Sequence, residues 1–346
     1  QSHPYRKIGL DTALTLAERV KPLFAEVGVN FKGNAERNHW RITPLGVLKR
    51  AWLTLDEYAS VPSDGLMPWK KVALLNIDGF LDFHTSYIAA GLADLGVECV
   101  VKGISMPEIE RLRKNPTEMR STNIAKTLTG SLIGTLAARI NEHAKDVDAV
   151  LMPAIVGLSG YSDVVRLKEM VSRPLHFLAT LPPSAPGIRG QMMLKKHFQK
   201  SGGTYMLGDS VTGGGFEDGK LKYITTLNHG DFRFEADNFI LASGSFFSKG
   251  LVSDIDGVHE PVFGLDVESL ENRPDWYQRD MFKAQPYMSF GVVTDSGFRA
   301  LKDARPIENL YAVGSVLGGV NSLKDGCGAG VAILTALHVA SEILSH

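Results

Sequence analysis

The sequence predicts an α/β fold with parallel strands, and three stretches carry that prediction. Asn309-Leu-Tyr-Ala-Val-Gly-Ser315 reads as an apolar strand. It runs through Gly314, Gly318, Gly319, Gly326, Gly328 and Gly330 into an uncharged, helix-like run, Val331–Ser341. A second short apolar strand, Phe239–Ala242, ends on Ser243-Gly244-Ser245. Between Lys70 and Leu181, strands and helical stretches alternate in the βαβ manner that builds a small parallel sheet.

In chain order, Asp11–Glu26 is a helical stretch with Leu14, Leu16, Val20 and Leu23 apolar. Arg41-Ile-Thr-Pro-Leu-Gly46 follows, and a Pro/Ser/Asp/Gly loop at Val61–Pro68 marks a boundary. Val72–Ile77 is a buried-strand run, and Phe83–Leu95 has helical spacing and stops at Gly96, a residue suited to a helix C-cap. Val97–Val101, Val147–Ile155 and Leu175–Thr180 supply three more strands. Ile188–Lys200 is an amphipathic helix, Leu221–Leu227 belongs to a Gly-rich hairpin, and Ala332–Leu344 closes the chain as a helix. Residues 1–68 and 187–346 are thus expected to form a cofactor domain, with residues 69–186 inserted as a smaller α/β domain.

Composition bounds the partners. The chain has 346 residues, 44% of them hydrophobic and 22% charged, enough apolar content for two sizeable cores. A net charge of −1 argues against nucleic acid or an anionic lipid surface as a charge-driven partner. Cys99 and Cys327 are the only cysteines, and no C-x-x-C occurs. From that count the chain is expected to hold no iron–sulfur cluster, no structural zinc site and no other metal of its own, and it suits a reduced, cytoplasmic compartment. The longest uncharged run, Gly326–Ser341, is short for a bilayer span and contains His338, so membrane association is expected only through a partner.

The glycines locate a ligand. At Gly326, Gly328 and Gly330 no side chain blocks the approach of backbone N–H groups, and the helix start behind them carries partial positive charge. An electron-rich edge of a planar, electron-accepting cofactor suits that end better than a bare phosphate. Any one of these glycines is explained equally well by an ordinary turn. Taken together, the order of helix, strand, hairpin, the Ile240-Leu-Ala-Ser-Gly244 strand end and the later Gly-rich helix start is similar to the cofactor domain of two-dinucleotide-fold flavoproteins.

The similarity extends to a family. Arg41–Gly46 with Trp52, Leu181-Pro-Pro-Ser-Ala-Pro-Gly-Ile-Arg189, Ser243-Gly-Ser-Phe-Phe-Ser-Lys-Gly-Leu251, Phe263-Gly-Leu-Asp266 and Gly314–Gly330 resemble the B subunits of anaerobic glycerol-3-phosphate dehydrogenases. The resemblance runs from about His3 to the C-terminal helix and implies a Rossmann-like FAD/NAD(P)-binding flavoprotein fold. It further implies FMN or FAD as cofactor and oxidation of sn-glycerol 3-phosphate to dihydroxyacetone phosphate. A catalytic A-type flavoprotein subunit and a membrane-associated iron–sulfur C-type subunit are the implied partners, with a quinone as final acceptor at the inner membrane. Two other roles are compatible with the same fold: a non-catalytic scaffold, or a fumarate-reductase-like oxidoreductase acting on another small acid. The chain opens on Gln1-Ser-His-Pro-Tyr without Met and shows no G-x-G-x-x-G near its start, so the flavin fold is expected to be incomplete at the N-terminus.

Within that frame, Ser243, Gly244, Ser245, Gly314, Ser315, Gly318, Gly319, Gly326, Cys327, Gly328 and Gly330 are the candidate cofactor residues. Ser315 stands where flavoproteins of this kind often carry an acidic residue for the ribityl hydroxyls, and Cys327 reads as a small residue in a crowded turn. A phosphate ester calls for charge-assisted donors, for which the arginine fork is best suited. Arg41, Arg50, Arg189 and Arg299 are the candidates, with Arg189 foremost because it follows the Pro-rich loop at a strand end. Removing the hydroxyl proton as hydride leaves needs a base, and His39, ahead of His84, His176 and His229, is taken with Arg41 two residues on as the catalytic pair, with Arg189 and Arg299 for the substrate.

Overall fold

The computed structural model describes residues 3–345, and the chain divides into two compact units: residues 21–205, and the residues up to Val20 together with Met206 onward. In the unit of residues 21–205, β1 (Lys71–Ile77), β2 (Glu98–Ile104), β3 (Ala149–Pro153) and β4 (Leu175–Leu178) form one parallel sheet. Their spatial order is β2-β1-β3-β4. Central β1 and β3 are apolar along nearly their whole length because helices leave neither face to water. Helix α1 (Thr85–Asp94) packs on β1 and β2, and α2 (Ser131–His143) packs on α3 (Ser162–Met170). Just past α1, Gly96 takes φ +80°, the left-handed turn that suited it to end the helix.

The segment before β1 belongs to the same core. Strand His39–Ile42 runs between Leu48–Ala51 and Ser60–Val61, and Ile42, Ala59 and Val61 bury against the residues of the parallel sheet. The Ala59 N–H donates to the Phe177 carbonyl at 2.8 Å, and the Phe177 N–H donates to the Glu57 carbonyl at 3.0 Å. The Arg41–Gly46 motif ends in a turn pressed on α1. A Cβ on Gly46 (φ +79°) would sit 2.6 Å from the Tyr87 carbonyl, and one on Gly91 would run into the Gly46 carbonyl.

Both expected boundaries therefore move. The Val61–Pro68 loop joins strands that share one core, so no domain ends there. Position 187 lies inside α4 (Ala185–Lys200), which is tied to this unit by a buried ion pair. Arg189 Nη2 stands 2.6 Å from Glu57 Oε2, its Nη1 donates to the Gly157 carbonyl at 2.8 Å, and its guanidinium lies over the Tyr161 ring. With side-chain exposures of 5% and 1%, neither partner has solvent to fall back on.

The other unit is built on β5 (Phe239–Leu241), β6 (Arg299–Lys302) and β7 (Arg305–Ala312), in the order β5-β7-β6. β5 runs parallel to β7, and β6 turns back antiparallel. Strand Val211–Glu217 pairs with Lys220–Thr226 as the expected hairpin. Asn309 fastens the hairpin to the sheet: its amide donates to the Leu221 and Asp237 carbonyls and accepts from the Leu221 N–H, all at 2.9 Å. The last helix, α5 (Gly328–Ser345), packs on Gly314–Val316 and on helix Pro4–Ile8. At 18 residues with mean hydropathy 1.5 it is long and apolar enough to cross a membrane by length and composition, longer than the uncharged run because it continues through Glu342.

Two measurements test this packing. Arg189→Met leaves the Glu57 carboxylate buried without its cation, so unfolding in urea should show a loss of about 3–5 kcal/mol. Adding Glu57→Gln to that variant should recover part of it. On β4, His176 packs against Trp69 with the two rings tilted by 48°, and burial first, then the charges of Lys32 and Lys168, hold its pKa at about 4 against an ordinary 6.5. As pH falls below 6.5 the unfolded chain takes up the proton that the folded state refuses until about pH 4. Stability therefore drops on acidification across that window, by on the order of 3 kcal/mol in total. His176→Gln should flatten that limb in denaturation curves collected between the two pH values.

Candidate cofactor site

Parallel pairing places two turns side by side. Leu241 stands opposite Ala312, and the Val313 N–H donates to the Leu241 carbonyl at 3.0 Å. The turns that leave the sheet there are Ser243–Ser245 and Gly314–Ser315. A Cβ on Gly244 (φ +83°) would run into Ser248 Oγ and stand 3.5 Å from Ser315 Oγ, and one on Gly250 would run into the Gly244 carbonyl. Backbone packed this closely leaves only glycine at either position.

The start of α5 reaches the same place. Gly328 lines one cavity together with Ser245, Phe246, Tyr287, Phe290 and Ser315. Thr335 Oγ1, fully buried on α5, accepts the Gly314 N–H at 3.0 Å and donates to the Val331 carbonyl at 2.7 Å. The helix start and the strand end are thereby locked together. The cavity measures about 40 Å³, room for an edge rather than for a whole ring system. Two residues before Ser245 in the chain, Ser243 Oγ is buried and, like the hydroxyls of Thr43 and Thr180, has no hydrogen-bond partner among the described residues. A buried hydroxyl without a partner is uncommon and costly, and a ligand oxygen or nitrogen satisfies it. Three serines, first-turn N–H groups and the aromatic walls of Phe246 and Tyr287 fit a planar, oxygen-rich cofactor edge.

Not every expected residue plays the expected part. Gly328 and Gly330 lie inside α5 rather than ahead of it, and Gly330 is buried in its first turn. Gly326 (φ +65°) is the left-handed cap of a short helix, Ser322–Asp325. Gly318 makes room for a neighbouring strand, since its Cβ would stand 2.9 Å from Glu268 Oε2 and 3.2 Å from the Gly291 carbonyl. Gly319 (φ +80°) turns the chain so that its N–H donates to the Ser289 carbonyl at 2.9 Å. Cys327 is half-buried, and burial, then the Asp325 carboxylate, push its thiol pKa up.

The substrate candidates fare differently. Arg189, ion-paired with Glu57 and only 4% exposed, offers no free fork to a phosphate, which corrects that expectation. Arg299 donates Nε to Asp295 Oδ2 at 2.7 Å and its backbone N–H to Oδ1, closing the turn before β6. His39 and Arg41 share one face of strand His39–Ile42 and belong to the other compact unit. His39 Nε2 is 2.8 Å from Thr54 Oγ1, and burial, then Lys32, lower its pKa, so the ring is neutral near pH 7. Arg50 lies over the Trp40 ring at 4.8 Å. His229 pairs with Asp209 at 2.7 Å.

Sequence reasoning passed over Thr335, Tyr287 and Phe290. Thr335 carries a readable signal, the lone hydroxyl in the apolar run Val331–Leu337. Tyr287 and Phe290 carry none, because single aromatics in an irregular stretch match no period. A direct check of the site is Ser243→Ala. With no protein partner to lose, the cofactor-free protein should keep its stability within about 0.5 kcal/mol. Flavin affinity read by fluorescence titration should fall about 2–10-fold, the worth of one hydrogen bond.

Comparison with known proteins identifies the family. A family described as FAD binding domain matches residues 1–331. The B subunit of anaerobic glycerol-3-phosphate dehydrogenase from Yersinia enterocolitica is 40% identical over 345 residues, covering 99% of this chain and 81% of that protein. Its counterpart in Yersinia pseudotuberculosis is 39% identical over the same span. That of Haemophilus influenzae (strain PittGG) is 39% identical over 354 residues, covering 99% of this chain and 82% of that protein. No solved structure matches. The cofactor is FAD, one of the two flavins the sequence pointed to. By family match and by these relatives, the chain belongs to the anaerobic glycerol-3-phosphate dehydrogenase B subunits, flavin oxidoreductases built on an FAD binding domain.

Proposed function

We propose that this chain is the flavin-carrying B subunit of a quinone-linked anaerobic dehydrogenase that oxidises sn-glycerol 3-phosphate to dihydroxyacetone phosphate. The observation that carries the reading is the cavity shared by Ser245, Ser315 and Gly328, with an unpartnered Ser243 hydroxyl two residues before Ser245, in a chain matched over 99% of its length by proteins of that name. Ser243 and Ser245 donate or accept at the polar edge of the cofactor, and Gly244 and Gly314 let the backbone close on it. The first turn of α5 presents unpaired N–H groups and the positive end of the helix to negative charge. Bound FAD supplies a two-electron acceptor for hydride from the alcohol carbon.

On the substrate side, His39 is the proposed base for the hydroxyl proton, and its burial-lowered pKa keeps a lone pair free near neutral pH. Arg41 is the proposed phosphate partner, in place of Arg189. With only Cys99 and Cys327 in the chain, the iron–sulfur centres that carry electrons to the quinone are assigned to a partner, which is also the proposed link to the inner membrane. An A-type flavoprotein subunit completes the proposed cytoplasmic complex.

The test is anaerobic addition of sn-glycerol 3-phosphate to the FAD-loaded complex, with dicarboxylates as the comparison. The account expects loss of the oxidised-flavin absorbance of this chain with glycerol 3-phosphate alone. His39→Gln should slow that reduction by roughly 10²–10⁴-fold. Flavin on this chain that stays oxidised while the complex turns over would place the chemistry on a different member of the complex. Bleaching by a dicarboxylate instead would point to a fumarate-reductase-like activity.

A further inference from the structure

Three chemically different donors meet at the start of the last helix, although two of them sit 322 residues or more from the third. His3 is the N-cap of helix Pro4–Ile8: its Nδ1 accepts the Tyr5 N–H at 3.1 Å, which leaves Nε2 facing Cys327 Sγ at 4.0 Å. Asp325 ends the short helix Ser322–Asp325, and the left-handed Gly326 (φ +65°) folds the chain back so that Cys327 follows on the same side. One ligand atom from each of His3, Asp325 and Cys327 lies within 4.8 Å of the other two. Around a tetrahedral zinc, bond lengths of about 2.0–2.3 Å put neighbouring donors roughly 3.3–3.8 Å apart, so small side-chain adjustments close the set. No ion pair among the described residues engages the Asp325 carboxylate.

We propose that His3, Asp325 and Cys327 form a binding site for a thiophilic divalent cation of the zinc type. Imidazole with thiolate selects zinc, cobalt or ferrous iron over magnesium or calcium, which prefer all-oxygen shells. Three protein ligands leave the fourth position to water or a small anion, and the exposed Asp325 side of the cluster gives entry from solvent. On binding, the Cys327 thiol releases its proton to solvent. The imidazole proton moves from Nε2 to Nδ1, so the Tyr5 N–H loses its acceptor and the cap of helix Pro4–Ile8 is exchanged for a metal bond. A metal site in this chain departs from the absence expected from the cysteine count. The mixed site exists only because the fold brings residue 3 to residue 327.

The site lies at the same helix start that lines the cofactor cavity, so its test reads metal binding rather than turnover. Titrating the flavin-loaded protein with Zn²⁺ in a calorimeter should give one saturable site. Affinity should fall at least tenfold in Cys327→Ser and in His3→Gln, less in Asp325→Asn, and not at all in Cys99→Ser. With Co²⁺, the red-region bands of a four-coordinate thiolate complex, which lie clear of flavin absorbance, should form in the wild type and be lost in Cys327→Ser. A measurement on the unaltered chain guards against variants that misfold: Zn²⁺ should slow alkylation of Cys327, mapped by mass spectrometry, and leave Cys99 unchanged. Absence of saturable binding, equal affinity in Cys327→Ser, or unprotected Cys327 would overturn the assignment.

Discussion

A single buried hydroxyl holds the cofactor region in register. Thr335, with no solvent exposure, takes the Gly314 N–H and gives its own proton to the Val331 carbonyl. Left alone, the buried Gly314 N–H would cost about 1–3 kcal/mol, so strand end and helix stay together. Once they do, Ser315 and Gly328 face one cavity. Parallel pairing of Leu241 with Ala312 then brings the Ser243–Ser245 turn alongside, with the Ser243 hydroxyl left without a protein partner among the described residues.

Glycines in this region divide by physical task. Gly244 and Gly314 take positive φ where the backbone must close tightly on its neighbours, and Gly250 admits the Gly244 carbonyl. Gly318 serves a strand crossing near Glu268, and Gly326 caps a short helix. Only Gly328 among the last three stands at the cavity. A glycine-rich stretch therefore points to a site without saying which glycine touches it.

Much of the fold was legible in the sequence. Val72–Ile77 and Val147–Ile155 are mostly apolar, broken by Asn76 and Asp148, and such stretches survive as strands with both faces covered, as β1 and β3 are. Asn309–Val313 and Phe239–Ala242 were legible as strands, and the structure pairs them in parallel so that they carry the two turns. What sequence could not convey were long-range pairings. Arg189 looked like a phosphate ligand because a Pro-rich loop precedes it, yet its partner, Glu57, lies 132 residues away. The loop at Val61–Pro68 had the composition of a linker, but Ala59 and Val61 on its near side are core residues. Loop composition reports local conformation and is blind to whether its flanks share a core. The same blindness hid the meeting of His3 with Cys327.

The most direct measurement is a high-resolution structure of the protein with FAD bound. The account predicts cofactor density in the Ser245–Ser315–Gly328 cavity, with a cofactor atom within hydrogen-bonding distance of Ser243 Oγ and the Thr335–Gly314 bond intact. FAD bound elsewhere on the chain, with the Ser243 hydroxyl still unpartnered, would contradict it.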